Sequence, residues 1–263
     1  MTDLEPQTIA GQLYEQLSHI AASKNINEFK IQAIKRDAKP LLRIAPAIYY
    51  NILGRCACVL RNFDEMKRCY DTASNLAPGD SGLWIDRSIG LSMWGFYSEA
   101  MDSIRAALRV APGDPEVVRR AYVQSWQACR FQESIDFVER LKTLKVQYDL
   151  EDAKIMSRAA EIFESAAISD DDGMHLADLF GVFLRDKKIF NPSAYIAVVT
   201  NQECRDHVIY AFGAGRDNEK IENLNWDAAE YFAQLNVKYE SDGIIAFRLV
   251  EDTTLRSVSK SES

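Results

Sequence analysis

Apolar residues recur every three or four positions along most of the chain up to Lys187, the spacing of helices that each bury one face. Ile135, Val138 and Leu141 follow it, and so do Ile155, Ala159, Ile162, Phe163 and Ala166 within 150–167. A break at ISDDDG precedes another predicted helix over 173–187, with aspartates near its start where the helix dipole favours them. The pattern changes at Asn191-Pro192. AYIAVVT (194–200), HVIYAFGAG (207–215) and GIIAFRLVE (243–251) are β-rich runs, and NWDAAEYFAQLN (225–236) reads as a helix with Asp227 near its start. This β-β-α-β order predicts an antiparallel or mixed sheet with one covering helix. The polar residues 253–263 are expected to be disordered.

The tetrad Ala-Pro-Gly-Asp closes NLAPGD at Asn75–Asp80 and again RVAPGD at Arg109–Asp114, an offset of 34. Proline lacks the N–H that continues a helix, so each copy stops one helix. Gly-Asp makes a turn, and Pro115 suits the first position of the next helix. Aligned on Pro78, segment 47–80 carries Tyr50, Leu53, Gly54, Ala57, Met66, Tyr70 and Ala73. Aligned on Pro112, segment 81–114 carries Trp84, Gly95, Tyr97, Ala100, Ile104 and Ala107. The small residues allow paired helices to approach, and the large ones fill the gaps between pairs. These motifs and their period resemble tetratricopeptide repeats over 47–114. Met66 stands where that pattern has a small residue, Ala57 where it has an aromatic, and Arg87-Ser88 where it has Leu-Gly. Residues 115–148 read as a degenerate third unit, keeping Phe131 but no closing proline. RIAP at Arg43–Pro46 echoes the tetrads, so 8–46 is readable as a weaker first unit in which Pro40 must kink or shorten the second helix. An ordinary helical bundle with a coincidental spacing is the alternative.

The expected fold class is mainly α: a tetratricopeptide-like superhelix of helical hairpins followed by a small α+β C-terminal module. The expected segments are an N-terminal helical segment (1–46), the repeats (47–148), capping helices (149–189), the module (190–252) and the tail (253–263). No family is recognised in the module.

The net charge of −8 argues against nucleic acid, which needs a basic surface, and against docking on an anionic membrane. The acidic MTDLEPQT start and the lack of a long apolar run predict a cytoplasmic protein. Five scattered cysteines, Cys56, Cys58, Cys69, Cys129 and Cys204, read as reduced structural thiols.

Candidate chemistry is sparse. Asp170, Asp171 and Asp172 before Gly173 lack the ligand spacing of a calcium loop, since Ile168 and Leu179 fill its first and last slots. They read as the acidic start of a helix. Cys56-x-Cys58 has no second pair at zinc spacing. Gly213-Ala214-Gly215 lacks the third glycine of a dinucleotide loop and reads as a turn. His19, His175 and His207 have no nucleophile motif near them. No metal, no cofactor and no enzymatic activity are expected. Lys30, Lys35, Arg36 and Lys39 form a basic cluster on one predicted helix, either a solvated face or a contact for an acidic partner.

The tetratricopeptide resemblance implies a concave face lined by the first helix of each unit. Carried over, its positions are Asn51, Arg55 and Cys58; then Ile85, Ile89 and Met93; then Glu116, Arg119, Val123, Trp126 and Gln127. Apolar contacts with Arg and Trp anchors suit a protein or peptide partner. Burial of this face against the chain's own C-terminal segment is the alternative. Some members of the family hold acidic chaperone tails at positions matching Asn51, Arg55, Asp86, Glu116 and Arg120. Only Arg120 conforms, and Asp86 and Glu116 would repel a carboxylate, so such a tail is not the expected partner. The expected function is a non-catalytic scaffold or adaptor. Two alternatives stand: a ligand-sensing or catalytic activity in 190–252 with the repeats as its mount, and a dedicated chaperone or neutralising partner of a bacterial-type effector or toxin. Homo-oligomerisation is left open.

Overall fold

A computed structural model describes residues 6–22, 26–190, 194–199, 206–213, 218–235 and 245–250. The chain divides into two compact units, Met1–Leu91 with Asp102–Pro112, and Ser92–Met101 with Gly113–Ser263. The order is mainly α, with repeated helix pairs followed by a small three-stranded sheet. Cys204, Ala214, Gly215 and the 253–263 tail lie outside the described residues.

The first unit begins with α1 (Pro6–Ala22) and α2 (Glu28–Asp37), which pack on each other and on α4 (Pro46–Val59). Asn27 caps α2 through its side chain. Pro40 acts as the sequence predicts: α2 ends at Asp37, and a separate short helix α3 (Leu41–Ile44) follows the proline. Leu13, Leu17, Ile31, Ile34, Ile52 and Cys56 form the core of these helices. Next, α4 pairs with α5 (Phe63–Leu76), which carries its own cap at Asn62. The Tyr70 ring lies between Gly54 and Gly90. A Cβ at either glycine would come within 2.8 or 2.6 Å of the ring. A buried aromatic between neighbouring helices therefore requires small residues at these positions.

Helices α6 (Ser81–Met93) and α7 (Tyr97–Val110) follow, then the pair α8 (Pro115–Gln127) and α9 (Phe131–Thr143). The period is written in the backbone as well as in the prolines. Arg61, Gly95 and Cys129 adopt positive φ of 56°, 69° and 54°, each one full period after the last, in the turn before the second helix of each pair. The degenerate segment 115–148 is thus a helix pair with the same turn. A further pair, α10 (Leu150–Ser165) and α11 (Asp170–Asp186), starts in register, although α10 is longer. The helix expected from 173 starts at 170, because Ser169 and Asp172 form a reciprocal capping box.

Helix α11 explains how the second unit is assembled. The residues just before α7 and α9, Phe96 and Arg130, provide no side-chain cap, the first because phenylalanine has no acceptor. Asp178 accepts from the N–H groups of Tyr97 (2.9 Å) and Ser98 (3.1 Å), and Asp170 from those of Gln132 (3.1 Å) and Glu133 (2.8 Å). Three residues after each aspartate a glycine meets the adjoining turn. A Cβ on Gly181 would strike the Gly95 carbonyl, and one on Gly173 the Cys129 carbonyl. Asp-x-x-Gly, written twice on one helix, therefore reads two turns that stand one repeat apart. Arg185 adds a bond to the Gly95 carbonyl at 2.6 Å and lies 3.8 Å over the Phe96 ring.

The C-terminal strands are β1 (Ala194–Val199), β2 (His207–Gly213) and β3 (Ile245–Val250), in the order β1-β2-β3. The sheet is mixed. β1 and β2 are antiparallel, with Ile196 opposite Tyr210, and β2 and β3 are parallel, with Val208 opposite Ile245. The connecting helix α12 (Asn218–Leu235) packs on β3 and begins well before the helix expected at 225. Asp227 is thus not at its start; it pairs with Lys187 at 2.8 Å. Asn225 binds both backbone groups of Leu249, donating to its carbonyl (2.9 Å) and accepting from its N–H (2.7 Å). Phe180 of α11, Phe232 of α12 and Phe247 of β3 stack together with centroids 4.8 to 6.1 Å apart. Helix α11 and the module thus share one core.

Candidate partner-binding faces

The side chains expected to line one groove fall in both compact units, and each group is built differently. In the first unit, α4 and α6 bring Arg55 to Asp86 in a two-point ion pair, with Nε–Oδ2 3.0 Å and Nη2–Oδ1 2.6 Å. Burial works against the guanidinium charge, but Asp86 outweighs it and holds the pKa of Arg55 above its ordinary value. Beneath the guanidinium lies the Tyr14 ring of α1, 4.5 Å away. The Tyr14 hydroxyl donates to Asn51 Oδ1 at 2.8 Å. Burial, then the Asp86 charge, pushes that phenol upward in pKa.

This arrangement corrects the expectation for three residues. Asn51 is fully buried, and Cys58 and Ile85 are buried as well, so a partner does not reach them as the chain stands. Asn51 lies under Tyr14, a residue much earlier in the chain. The Asn51 amide nitrogen has no hydrogen-bond partner among the described residues. Ile89 remains half-buried. Tyr14 is the residue that the sequence reading missed. Its signal was the apolar stripe Ala10, Leu13 and Leu17, which turns α1 toward α4.

In the second unit the face belongs to α8. Asp114 caps it through the Glu116 N–H at 2.8 Å, which fixes the first turn. Glu116 receives Arg120 Nε at 2.9 Å and also both Nε and Nη2 of Arg119. Burial alone would raise the pKa of Glu116; the hydrogen bonds from the two arginines outweigh it and hold it below the ordinary carboxylate value. Arg119 is exposed, whereas Val123, Trp126 and Gln127 are half-buried. Arg119, Val123 and Trp126 stand at i, i+4 and i+7, on one side of the helix. Gln127 accepts from Ser92 Oγ at 2.9 Å, which ties the end of α8 to the residue beside the half-buried Met93.

The other sequence candidates have structural partners. Asp170 caps α9, Asp171 receives Arg130, and Asp172 receives the Ser169 N–H at 2.9 Å and the Ser169 hydroxyl at 2.6 Å. Cys56, Cys58, Cys69 and Cys129 are buried and outside any disulfide, and burial pushes Cys56 up to about 12. His19 lies exposed, 3.9 Å from Glu15. Lys35 pairs with Glu65 at 3.1 Å and Arg36 with Asp37 at 2.8 Å, so half of the basic cluster has acidic neighbours within the chain. Among the described residues no helix is long and apolar enough to cross a membrane.

No protein-family model and no curated protein matches the chain. Solved structures do resemble parts of it. A structure of MamA from AMB-1 aligns over 43% of this chain and 68% of its own, at 19% identity and a TM-score of 0.36. A second MamA AMB-1 structure aligns over 56% of this chain and 93% of its own, at 15% identity and a TM-score of 0.37. The Thermobaculum terrenum O-GlcNAc transferase mutant K341M aligns over 53% of this chain but only 27% of its own, at 18% identity and a TM-score of 0.38. These are remote likenesses.

Proposed function

We propose that the chain is a non-catalytic scaffold of the tetratricopeptide type, and that it holds a segment of another protein on the face of α8 that carries Arg119, Val123 and Trp126. The observation that carries this reading is the line Arg119, Val123 and Trp126. It is an exposed cation, a half-buried aliphatic and a half-buried indole on one side of a helix anchored at both ends. An aromatic, an aliphatic and an arginine at helical spacing suit a peptide or helix laid along them. Arg55 of α4 serves a different end: it ties α4 to α6 through Asp86, and its guanidinium rests on Tyr14 of α1. Recognition then depends on apolar contact framed by arginines, with no bond chemistry.

An acidic chaperone tail is a poor fit. Arg119 and Arg120 share Glu116, and a carboxylate ligand would have to compete with it for both. The test is affinity capture from source-cell lysate with wild type, Arg119→Glu and Trp126→Ala, read by mass spectrometry, with circular dichroism as a check on folding. A protein captured by wild type and lost with both variants supports the reading. Captures unchanged by either substitution overturn it.

A further inference from the structure

Two large apolar side chains stand further out of the surface than any other among the described residues: Phe29 on α2, 89% exposed, and Trp226 on α12, 78% exposed. Isolated exposed apolar residues are ordinary, but an aromatic ring left almost wholly in water is costly. The two rings sit in opposite charge settings. Helix α2 and the residues after it carry Lys30, Arg36, Lys39 and Arg43 on exposed positions, against two exposed acids, Glu28 and Asp37, the second paired with Arg36, so the face keeps a net positive charge in a chain whose net charge is −8. Helix α12 buries Ile221, Leu224, Ala228 and Phe232. The helical period therefore sets Glu219, Glu222, Trp226 and Glu230 on its opposite side, all exposed. Trp226 thus has a carboxylate one turn away on either side and another two turns back.

We propose that these two faces bind each other between copies of this chain, α2 of one copy against α12 of the next. The rings stack, and the cations around Phe29 meet the carboxylates around Trp226. The spacing fits an antiparallel crossing. With Phe29 on Trp226, Arg36 lies two turns along one helix and Glu219 two turns back along the other, each about 10 Å from the rings. A net charge of −8 works against contact between copies. The basic patch on α2 removes that repulsion at one place and so gives the contact its address. The contact is heterologous: each copy offers one face and accepts on the other, so assembly proceeds to closed rings or open chains. Two short helix faces make a small interface, so the dissociation constant is expected to be on the order of 10–100 µM.

Sedimentation velocity of the full chain, at roughly 5 to 300 µM so as to span that range, tests this. Wild type is expected to associate with rising concentration, and less so when salt is raised from about 50 to about 500 mM. Phe29→Ser and Trp226→Ser, both at exposed positions that leave the fold intact by circular dichroism, should each weaken self-association at least tenfold. An equimolar mixture of the two variants should restore association but stop at a 1:1 dimer, because that mixture retains one good face from each. A wild type that stays monomeric over the range overturns the proposal. So does association indifferent to salt or to either substitution, and so does a mixture that fails to pair.

Discussion

Replacing Gly181 with alanine tests the account of α11. Inside a helix, alanine is ordinarily favoured over glycine by about 1 kcal/mol. Here the added Cβ would overlap the carbonyl of Gly95, and the opposing atoms are backbone, so no rotamer change relieves the clash. Helix α11 must shift, and several contacts shift with it. Asp178 would lose its grip on the Tyr97 and Ser98 N–H groups, a cap of about 1–2 kcal/mol. The Arg185 bond to the Gly95 carbonyl adds about 1.5 kcal/mol or more. After the helix-propensity gain, Gly181→Ala should destabilise the protein by at least roughly 1.5–2.5 kcal/mol. Urea unfolding followed by circular dichroism measures this, and hydrogen exchange at Tyr97 and Ser98 locates it. Gly11→Ala is the control. That residue also lies within a helix, but nothing stands within 4 Å of its Cβ position, so alanine should stabilise by about 0.5–1 kcal/mol. If Gly181→Ala were as stable as wild type with exchange at Tyr97 unchanged, the clamp described for α11 would be wrong.

Two further outcomes are expected. Asn225→Leu should cost about 1–3 kcal/mol by leaving the Leu249 N–H and carbonyl without their side-chain partner, and exchange of the Leu249 amide should accelerate. Glu116 should titrate below the ordinary carboxylate value. Its stabilising contribution is then complete above the unfolded-state pKa and is lost as pH falls through the folded one. Carboxyl NMR of Glu116 reads the midpoint directly, and the stability gap between wild type and Glu116→Gln should close on acidification.

What the sequence disclosed follows from local rules. Proline and glycine punctuate whatever surrounds them, so the tetrads at 77–80 and 111–114 marked the repeat, and Pro40 marked the end of α2. The β-rich runs at 194, 207 and 243 were visible because alternation and β-branching are local as well. Pairing was not, since nothing in β3 alone states that it runs parallel to β2. The start of α12 was missed because Asn223 and Asn225 are poor helix formers. Burial of Ile221 and Leu224 overrides that preference, and Asn225 has its own task on β3. The face on α4 was read from the resemblance, and the positions were accessible in principle. The register of α1, which the repeat does not prescribe, placed Tyr14 over Asn51 and beside Arg55. The two Asp-x-x-Gly signals on α11 are plain in the sequence, but they acquire meaning only once the turns at Gly95 and Cys129 are known to be equivalent.

That equivalence has a mechanical side. Stacked helix pairs normally flex by sharing small rotations among their joints, each pair touching only its neighbours. Between Gly95 and Cys129 the joint is splinted. The two Asp-x-x-Gly signals of α11 lie about 12 Å apart along a rod that scarcely stretches. The step between those two turns is therefore set by the rise of an α-helix, and is not free to breathe with the rest of the array. Arg61, whose turn has its own cap at Asn62, lies outside that splint. Within the second unit, the spacing of two successive turns is thus written into the rise of one helix.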